Sequence, residues 1–214
     1  MYSIGLDFGT ESVRSVLLDI EAGIVIADSV SLYPSGTNGV ILDAKNPHLA
    51  RQNPADYHEC LVKVVRDVVK KAGTKNRKFN PSKIIGIGID TTGSTPLPVD
   101  EKMVPLCFHA EFKGNKNAMA YLWKDHVSAD EAEEITQIAR SKRPEYLANI
   151  GGVYSSEWFF SKLLYMARYD KRVFNATASF MEICDYIPAV LSGKTNPKET
   201  LRSICAAGHK AMYS

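Results

Sequence analysis

The opening stretch, Ile4-Gly5-Leu6-Asp7-Phe8-Gly9-Thr10-Glu11-Ser12-Val13-Arg14-Ser15-Val16-Leu17-Leu18-Asp19, leaves the chain few options. Two short apolar runs flank a Gly-Thr-Glu-Ser turn, which is how two antiparallel strands joined by a tight hairpin are written. Gly9 lets the backbone bend and come close to a ligand. Thr10 and Ser12 bring hydroxyls, Arg14 brings a cation, and the amides of such a turn make an anion-binding concavity. Asp7 ends the first strand beside the turn, where it suits a hydrated divalent cation. A carboxylate, a glycine and two hydroxyls so close together fit a phosphate and its Mg²⁺. Hairpins of this kind are common, and Asp before a turn often caps backbone amides, so spacing alone leaves both readings open.

The next seventy or so residues extend the hairpin into a domain. Ile24 to Leu32 is a third extended run, giving a three-strand meander. Pro34 to Pro54, rich in proline and glycine, reads as a long surface connection. It ends at Asn53-Pro54, an N-cap followed by proline at the first helical position. From there Tyr57, Leu61, Val64, Val65, Val68, Val69 and Ala72 form one face of an amphipathic helix closed by Gly73. Ile84-Ile85-Gly86-Ile87-Gly88-Ile89-Asp90 then reads as a central strand buried on both faces. The order is β-β-β-α-β.

That strand delivers Asp90 to a loop, Thr91-Thr92-Gly93-Ser94-Thr95-Pro96-Leu97-Pro98-Val99-Asp100. Ligands of α/β sheets gather outside the carboxyl ends of strands, so the loop is well placed to line a pocket. Gly93 admits a polyol near the backbone and Ser94 offers a hydroxyl; a proline-stiffened surface loop is the equal alternative. Beyond Pro105 the pattern is mainly helical. Ser128 and Glu131 suggest a capping box for a helix to about Arg140. After Gly151-Gly152, Tyr154 and Ser155 precede a helix through Lys162 to Tyr169, with Glu157 and Trp158 in its first turn. A first-turn Glu is ordinary dipole chemistry. A carboxylate beside an aromatic face also suits a sugar, whose hydroxyls bond to the one and whose C–H surfaces pack on the other. Phe180 to Lys194 reads as a short extended run and a helix stopped by Gly193, and small residues then lead to His209-Lys210.

Composition narrows the function classes. The 26 basic and 24 acidic residues nearly balance, so nothing calls for nucleic acid or an anionic membrane. Cys60, Cys107, Cys184 and Cys205 are scattered without a C-x-x-C pair, as expected of reduced thiols in a cytoplasmic protein with neither zinc site nor disulfide framework. No leader pattern or long apolar run is visible, so secretion and membrane spanning are not expected.

Several strings resemble one family. Asp-Phe-Gly-Thr-Glu-Ser-Val-Arg at 7–14 resembles the first phosphate loop of the actin-like ATPase superfamily, and within it the FGGY carbohydrate kinases. The loop at 88–100, Leu122-Trp123-Lys124-Asp125-His126, Ser155-Ser156-Glu157-Trp158 and Ala206-Ala207-Gly208-His209-Lys210-Ala211-Met212 resemble the L-ribulokinase branch of that family. The resemblance implies an α/β, ribonuclease-H-like (actin-like ATPase) domain with a mixed sheet and helical insertions. It implies ATP and Mg²⁺ as cofactors, with Asp7 serving the metal and Gly9, Thr10, Ser12 and Arg14 approaching the phosphates. It also implies a ketopentose held by Gly93, Ser94, Tyr154, Glu157 and Lys210, with lesser weight on Trp123, Lys124 and His126.

The reaction implied is phosphorylation of L-ribulose to L-ribulose 5-phosphate in arabinose breakdown. Residues 1–214 would be the sugar-binding N-terminal FGGY domain; the general-base Asp and the ATP-binding half would lie beyond residue 214. Three alternatives stand beside this: a kinase of D-ribulose or D-xylulose, a catalytically incomplete sugar-binding module, and an actin-like ATPase without a sugar, against which the 91–100 loop argues. Oligomeric state stays open, a homodimer included.

Overall fold

The computed structural model describes residues 1–212. Tyr213 and Ser214 lie outside the described residues. In chain order the strands are β1 (Tyr2–Phe8), β2 (Ser12–Asp19), β3 (Ile24–Leu32), β4 (Ile41–Asp43), β5 (Asn46–Gln52), β6 (Ile84–Thr91), β7 (Pro96–Val99), β8 (Ala120–Tyr121) and β9 (Ser179–Glu182). The α-helices are α1 (Pro54–Lys75), α2 (Ala129–Lys142), α3 (Phe159–Tyr169), α4 (Lys171–Ala176), α5 (Ile183–Leu191) and α6 (Ile204–His209). The chain divides into two compact units, Met1–Val40 with Asn53–Thr92, and Ile41–Gln52 with Gly93–Ser214.

The first unit is one mixed sheet and one helix. Its strand order is β3-β2-β1-β6, antiparallel through the meander and parallel between β1 and β6. Alternation along β1 buries Tyr2, Ile4, Leu6 and Phe8. Against that face lies α1, which begins as its sequence requires: the Asn53 side chain accepts the Ala55 N–H and Pro54 occupies the first turn. Its buried stripe is Tyr57, Cys60, Leu61, Val64, Val68 and Ala72. Each such side chain taken fully from water contributes about 1.5–3 kcal/mol, so this stripe rather than helix propensity holds α1 in place. The helix ends at Lys75 with Asn76 as cap, just beyond Gly73.

The second unit has two small sheets, β4-β5-β8 and β7-β9, amid helices. Leu106, Phe112, Ala118, Tyr121, Phe159, Met166, Val173 and Phe180 form its core cluster. An ion pair is buried in it as well. Arg51 bonds to Asp125, both side chains fully buried, and the guanidinium lies 3.6 Å from the Tyr121 ring centroid. Asp125 Oδ2 also accepts the Ala50 N–H at 2.6 Å, and Arg51 Nε donates to the Lys116 carbonyl at 3.1 Å.

Four expectations need correction. β6 is not buried on both faces: it is an outer strand with β1 as its partner, and Ile85 and Ile87 are 62% and 45% exposed. Its isoleucines gave the composition of a covered strand, but cover comes from neighbours. Pro34 to Pro54 is not all surface connection, since it holds the β4-β5 hairpin, paired to β8 some seventy residues on. Ser128 makes no side-chain cap; its hydroxyl donates to the Ser156 carbonyl at 3.0 Å, and Glu131 pairs with Arg168 at 3.3 Å. Tertiary partners outcompeted the local box. Finally, α3 starts at Phe159, so Glu157 and Trp158 precede it; the Ser155 hydroxyl accepts the Glu157 N–H at 3.1 Å, closing a turn instead.

Candidate functional site

The first unit presents the hairpin. Its turn is closed by the Gly9 N–H donating to the Ser12 carbonyl at 2.9 Å. Behind it the Tyr33 N–H donates to the Glu11 carbonyl at 2.9 Å, and Gly39, at φ +79°, packs so tightly that a Cβ there would stand 2.8 Å from Tyr33 and 3.2 Å from the Thr10 carbonyl. A side chain at 39 would push on the turn. Gly9 itself is different, because a Cβ on it would meet no more than an ordinary 3.5 Å contact with the Ser12 carbonyl. The turn's own backbone therefore does not require a glycine at position 9. Thr10 is half-buried and Ser12 buried.

Asp7 and Arg14 are register partners across β1 and β2, with Arg14 Nη1 3.5 Å from Asp7 Oδ2. On the other side of β1, Asp90 is the parallel partner of Asp7. These residues line a trough of about 450 Å³ whose floor includes Gly5 and Gly88. No group of three or more His, Cys, Asp or Glu able to hold a metal exists among the described residues. Exposed carboxylates beside glycines instead suit a Mg²⁺ that keeps most of its water and is held partly by phosphate.

The second unit gathers the residues expected to hold a sugar. Gly93 is exposed at the head of its loop, and a Cβ built on it would lie 4.0 Å from Lys210 Nζ. Ser94 is buried at φ +58°, a conformation uncommon for any residue but glycine. Its carbonyl accepts from Lys162 Nζ at 2.9 Å, and that ammonium also donates to the Leu122 carbonyl at 2.8 Å. The following N–H, of Thr95, donates to Glu182 Oε2 at 2.8 Å. The same carboxylate oxygen is 3.6 Å from Lys210 Nζ, with both side chains at most 3% exposed.

Tyr154 reaches this cluster through its hydroxyl, which donates to the Lys210 carbonyl at 3.4 Å and accepts the Phe160 N–H at 3.1 Å. Burial pushes its phenol up to about 12, so it stays a neutral donor. Glu157 is half-buried, and its charge favours the protonated form of Lys162. His126 Nδ1 is hydrogen-bonded to Ser156 Oγ at 2.9 Å, and Trp123 is exposed.

Burial is the dominant influence on the two central charges. It lowers the Lys162 ammonium, opposed chiefly by Glu182, and raises the Glu182 carboxyl, opposed chiefly by Lys210. Neither Lys162 nor Glu182 was a sequence candidate. A signal for Lys162 exists: it follows Phe159 by three positions and precedes Met166 by four, which puts a lysine on the apolar face of α3. Glu182 offers no such signal, because a strand's last residue faces whatever the fold brings to it.

The fold is that of the actin-like sugar kinases. A xylulose kinase from Rhodospirillum rubrum superposes with a TM-score of 0.74 at 21% identity, covering 99% of this chain and 37% of that one. Another, from Bifidobacterium adolescentis, gives 0.70 at 14% identity, covering 100% of this chain and 40% of that one. Likeness at such identities speaks to the fold alone. Sequence goes further: residues 2–207 match the FGGY family of carbohydrate kinases, N-terminal domain, and the chain belongs to that family. Relatives include a protein named ribulokinase from Vibrio parahaemolyticus, 40% identical over 211 residues, and one of the same name from Shouchella clausii, 39% identical over 216. The matches cover 98% and 99% of this chain but 36% and 37% of those relatives, so the chain spans little more than a third of their length. No described helix is long and apolar enough to cross a membrane.

Proposed function

We propose that this chain supplies the ketose-binding residues and the first phosphate loop of an ATP-dependent, Mg²⁺-assisted L-ribulose kinase, whose product is L-ribulose 5-phosphate. One observation carries the reading. Lys210 and Gly93 are more than a hundred residues apart in sequence, yet a Cβ built on Gly93 would lie 4.0 Å from Lys210 Nζ, which itself stands beside a buried carboxylate. A polyol needs that combination of open backbone and fixed donor. Relatives named ribulokinase over nearly the whole chain favour ribulose among the ketopentoses, and the resemblance of the 88–100 loop to the L-ribulokinases favours the L form.

In this reading Lys210 donates to ketose oxygens, Gly93 lets the sugar approach the backbone, and Ser94, Tyr154 and Glu157 shape the site. Asp7 orients the water shell of the metal, while the amides and hydroxyls of Gly9, Thr10 and Ser12, with Arg14, receive phosphate oxygens. Magnesium ATP supplies the phosphoryl group and charge neutralisation, and the chain's own contribution is positioning. The carboxylate that takes the sugar hydroxyl's proton, and the adenosine pocket, are assigned to sequence beyond residue 214, in keeping with the span of the relatives.

Calorimetry of the chain with L-ribulose, D-ribulose and D-xylulose tests this, with an assay for ADP release beside it. The expected result is tightest binding of L-ribulose without ATP turnover by these 214 residues alone. Preference for D-xylulose would reject the L-ribulose assignment, and turnover by the chain alone would reject the placement of the base.

A further inference from the structure

One peptide group in the second unit is gripped at both of its polar ends by buried charges. The bond from Ser94 to Thr95 offers its carbonyl to Lys162 Nζ at 2.9 Å and its N–H to Glu182 Oε2 at 2.8 Å. The two gripping residues come from α3 and from the end of β9. Lys162 is fully buried and anchored independently on the Leu122 carbonyl at 2.8 Å. Glu182 Oε2 in turn faces Lys210 Nζ at 3.6 Å. Its other oxygen, Oε1, is buried without a hydrogen-bond partner among the described residues.

As a device for stability this arrangement is poor. A buried ammonium and carboxylate lose their water, and apolar side chains of similar volume hold a core as well or better. An orphaned carboxylate oxygen adds to that cost. What apolar packing cannot do is fix the rotation of one peptide plane. Hydrogen bonds at its two ends do so, and the plane they hold follows Ser94 at φ +58°, where a non-glycine residue persists only if its surroundings force it. The held peptide directly follows Gly93, and the carboxylate holding it also faces Lys210.

We propose that Lys162 and Glu182 are positioning residues of the ketose site: they lock the Ser94–Thr95 peptide and, through the shared carboxylate oxygen, the ammonium of Lys210, presenting Gly93 and Lys210 to a ketopentose in one preset arrangement. The proposal rests on the ketose reading above, and it goes beyond that reading by assigning two residues that touch no substrate.

The test uses the whole chain, with Lys162→Met, Glu182→Gln and a surface control, Lys142→Met. Two quantities are read: the amide proton shift of Thr95 by NMR without ligand, and L-ribulose affinity by calorimetry, with thermal midpoints alongside. A carboxylate acceptor draws the Thr95 amide proton downfield, so Glu182→Gln moves it upfield and Lys162→Met displaces it, while the control leaves it in place. Both variants weaken L-ribulose binding at least about tenfold, the loss expected when a hydrogen bond from a charged donor is misplaced. An unmoved Thr95 amide in both variants overturns the grip. A moved amide with affinity within about twofold of wild type makes the pair structural and overturns the positioning role. If the unaltered chain takes up no ketose, the ketose reading falls and the substrate role with it, while the Thr95 shift still decides whether the peptide is held. Should Lys162→Met fail to fold, Glu182→Gln keeps the shape of the side chain and carries both readouts.

Discussion

Asp7 and Arg14, on the hairpin of the first unit, have side chains 43% and 65% exposed and touch at 3.5 Å, whereas Lys210 and Glu182 in the second unit are at most 3% exposed. The hairpin residues stand on the face that α1 leaves bare, beside glycines, with few claims on their polar atoms. The second cluster has its charges committed to backbone groups and to each other. An exposed ion pair contributes about 0–1 kcal/mol, so the hairpin's charges are nearly neutral for folding and available to a ligand. Buried charges shape the fold around them. The two units thus carry their charged groups differently: the first leaves them open, the second fixes them among buried partners.

Substitutions divide along the same line. The largest loss is expected away from both sites, at the ion pair buried in the second unit. Asp125→Ala leaves Arg51 buried and uncompensated and costs about 3–5 kcal/mol, read as a lower denaturant midpoint. A midpoint shift below about 1 kcal/mol would show that the second unit does not depend on buried charge, and the contrast between the units would weaken. Next comes Lys210→Met, expected to remove about 1.5–3 kcal/mol of ketose binding, the range for a hydrogen bond to a charged group. Phosphate binding at the hairpin is expected to stay unchanged, so a loss of both would break the separation of roles.

A smaller effect is legible in the pH dependence of stability. Burial holds Lys162 near pKa 7 in the folded chain, below its unfolded value. Below the folded value both states carry the proton and the desolvation cost is constant. Between the two values the unfolded chain binds the extra proton, so stability climbs with pH, with a slope of at most about 1.4 kcal/mol per pH unit. Thermal midpoints of the wild type and Lys162→Met, followed from pH 7 to 10, are expected to show the wild type gaining on the variant as pH rises. A constant difference would mean that Lys162 keeps its proton throughout.

The smallest changes in stability belong to the hairpin. Arg14→Ala and Gly9→Ala are each expected to shift stability by less than about 0.5 kcal/mol, since one removes an exposed charge and the other adds a Cβ that meets only an ordinary contact. Both are expected to weaken binding of magnesium ADP by calorimetry. Destabilisation beyond about 1 kcal/mol would place these residues in the fold's own support and end the description of the hairpin as an open face.

Much of the first unit was legible in the sequence because its signals are local. The hairpin is written in two apolar runs and a turn, the start of α1 in Asn53-Pro54, and its buried face in a 3.6-residue period. With the extended runs Ile24 to Leu32 and Ile84 to Asp90 these gave the β-β-β-α-β order, and the end of α5 followed from Gly193, which sits at φ +71°. The resemblance of 7–14 to a phosphate loop pointed to one set of candidate ligand residues, and that of 88–100, 155–158 and 206–212 to ribulokinase strings pointed to the other.

Tertiary structure alone decided the rest, wherever the partner lies far along the chain. Burial of β6 depended on its place in the sheet, and isoleucine content carries no record of place. The β4-β5 hairpin found its third strand at Ala120 and Tyr121. Ser128 bonded to Ser156 rather than capping its own helix. The grip of Lys162 and Glu182 on one peptide spans 68 and 87 residues of sequence, a separation that no window of local pattern can bridge. Period and turn chemistry act between neighbours and fix elements; the pairing of buried charges waits until those elements have packed.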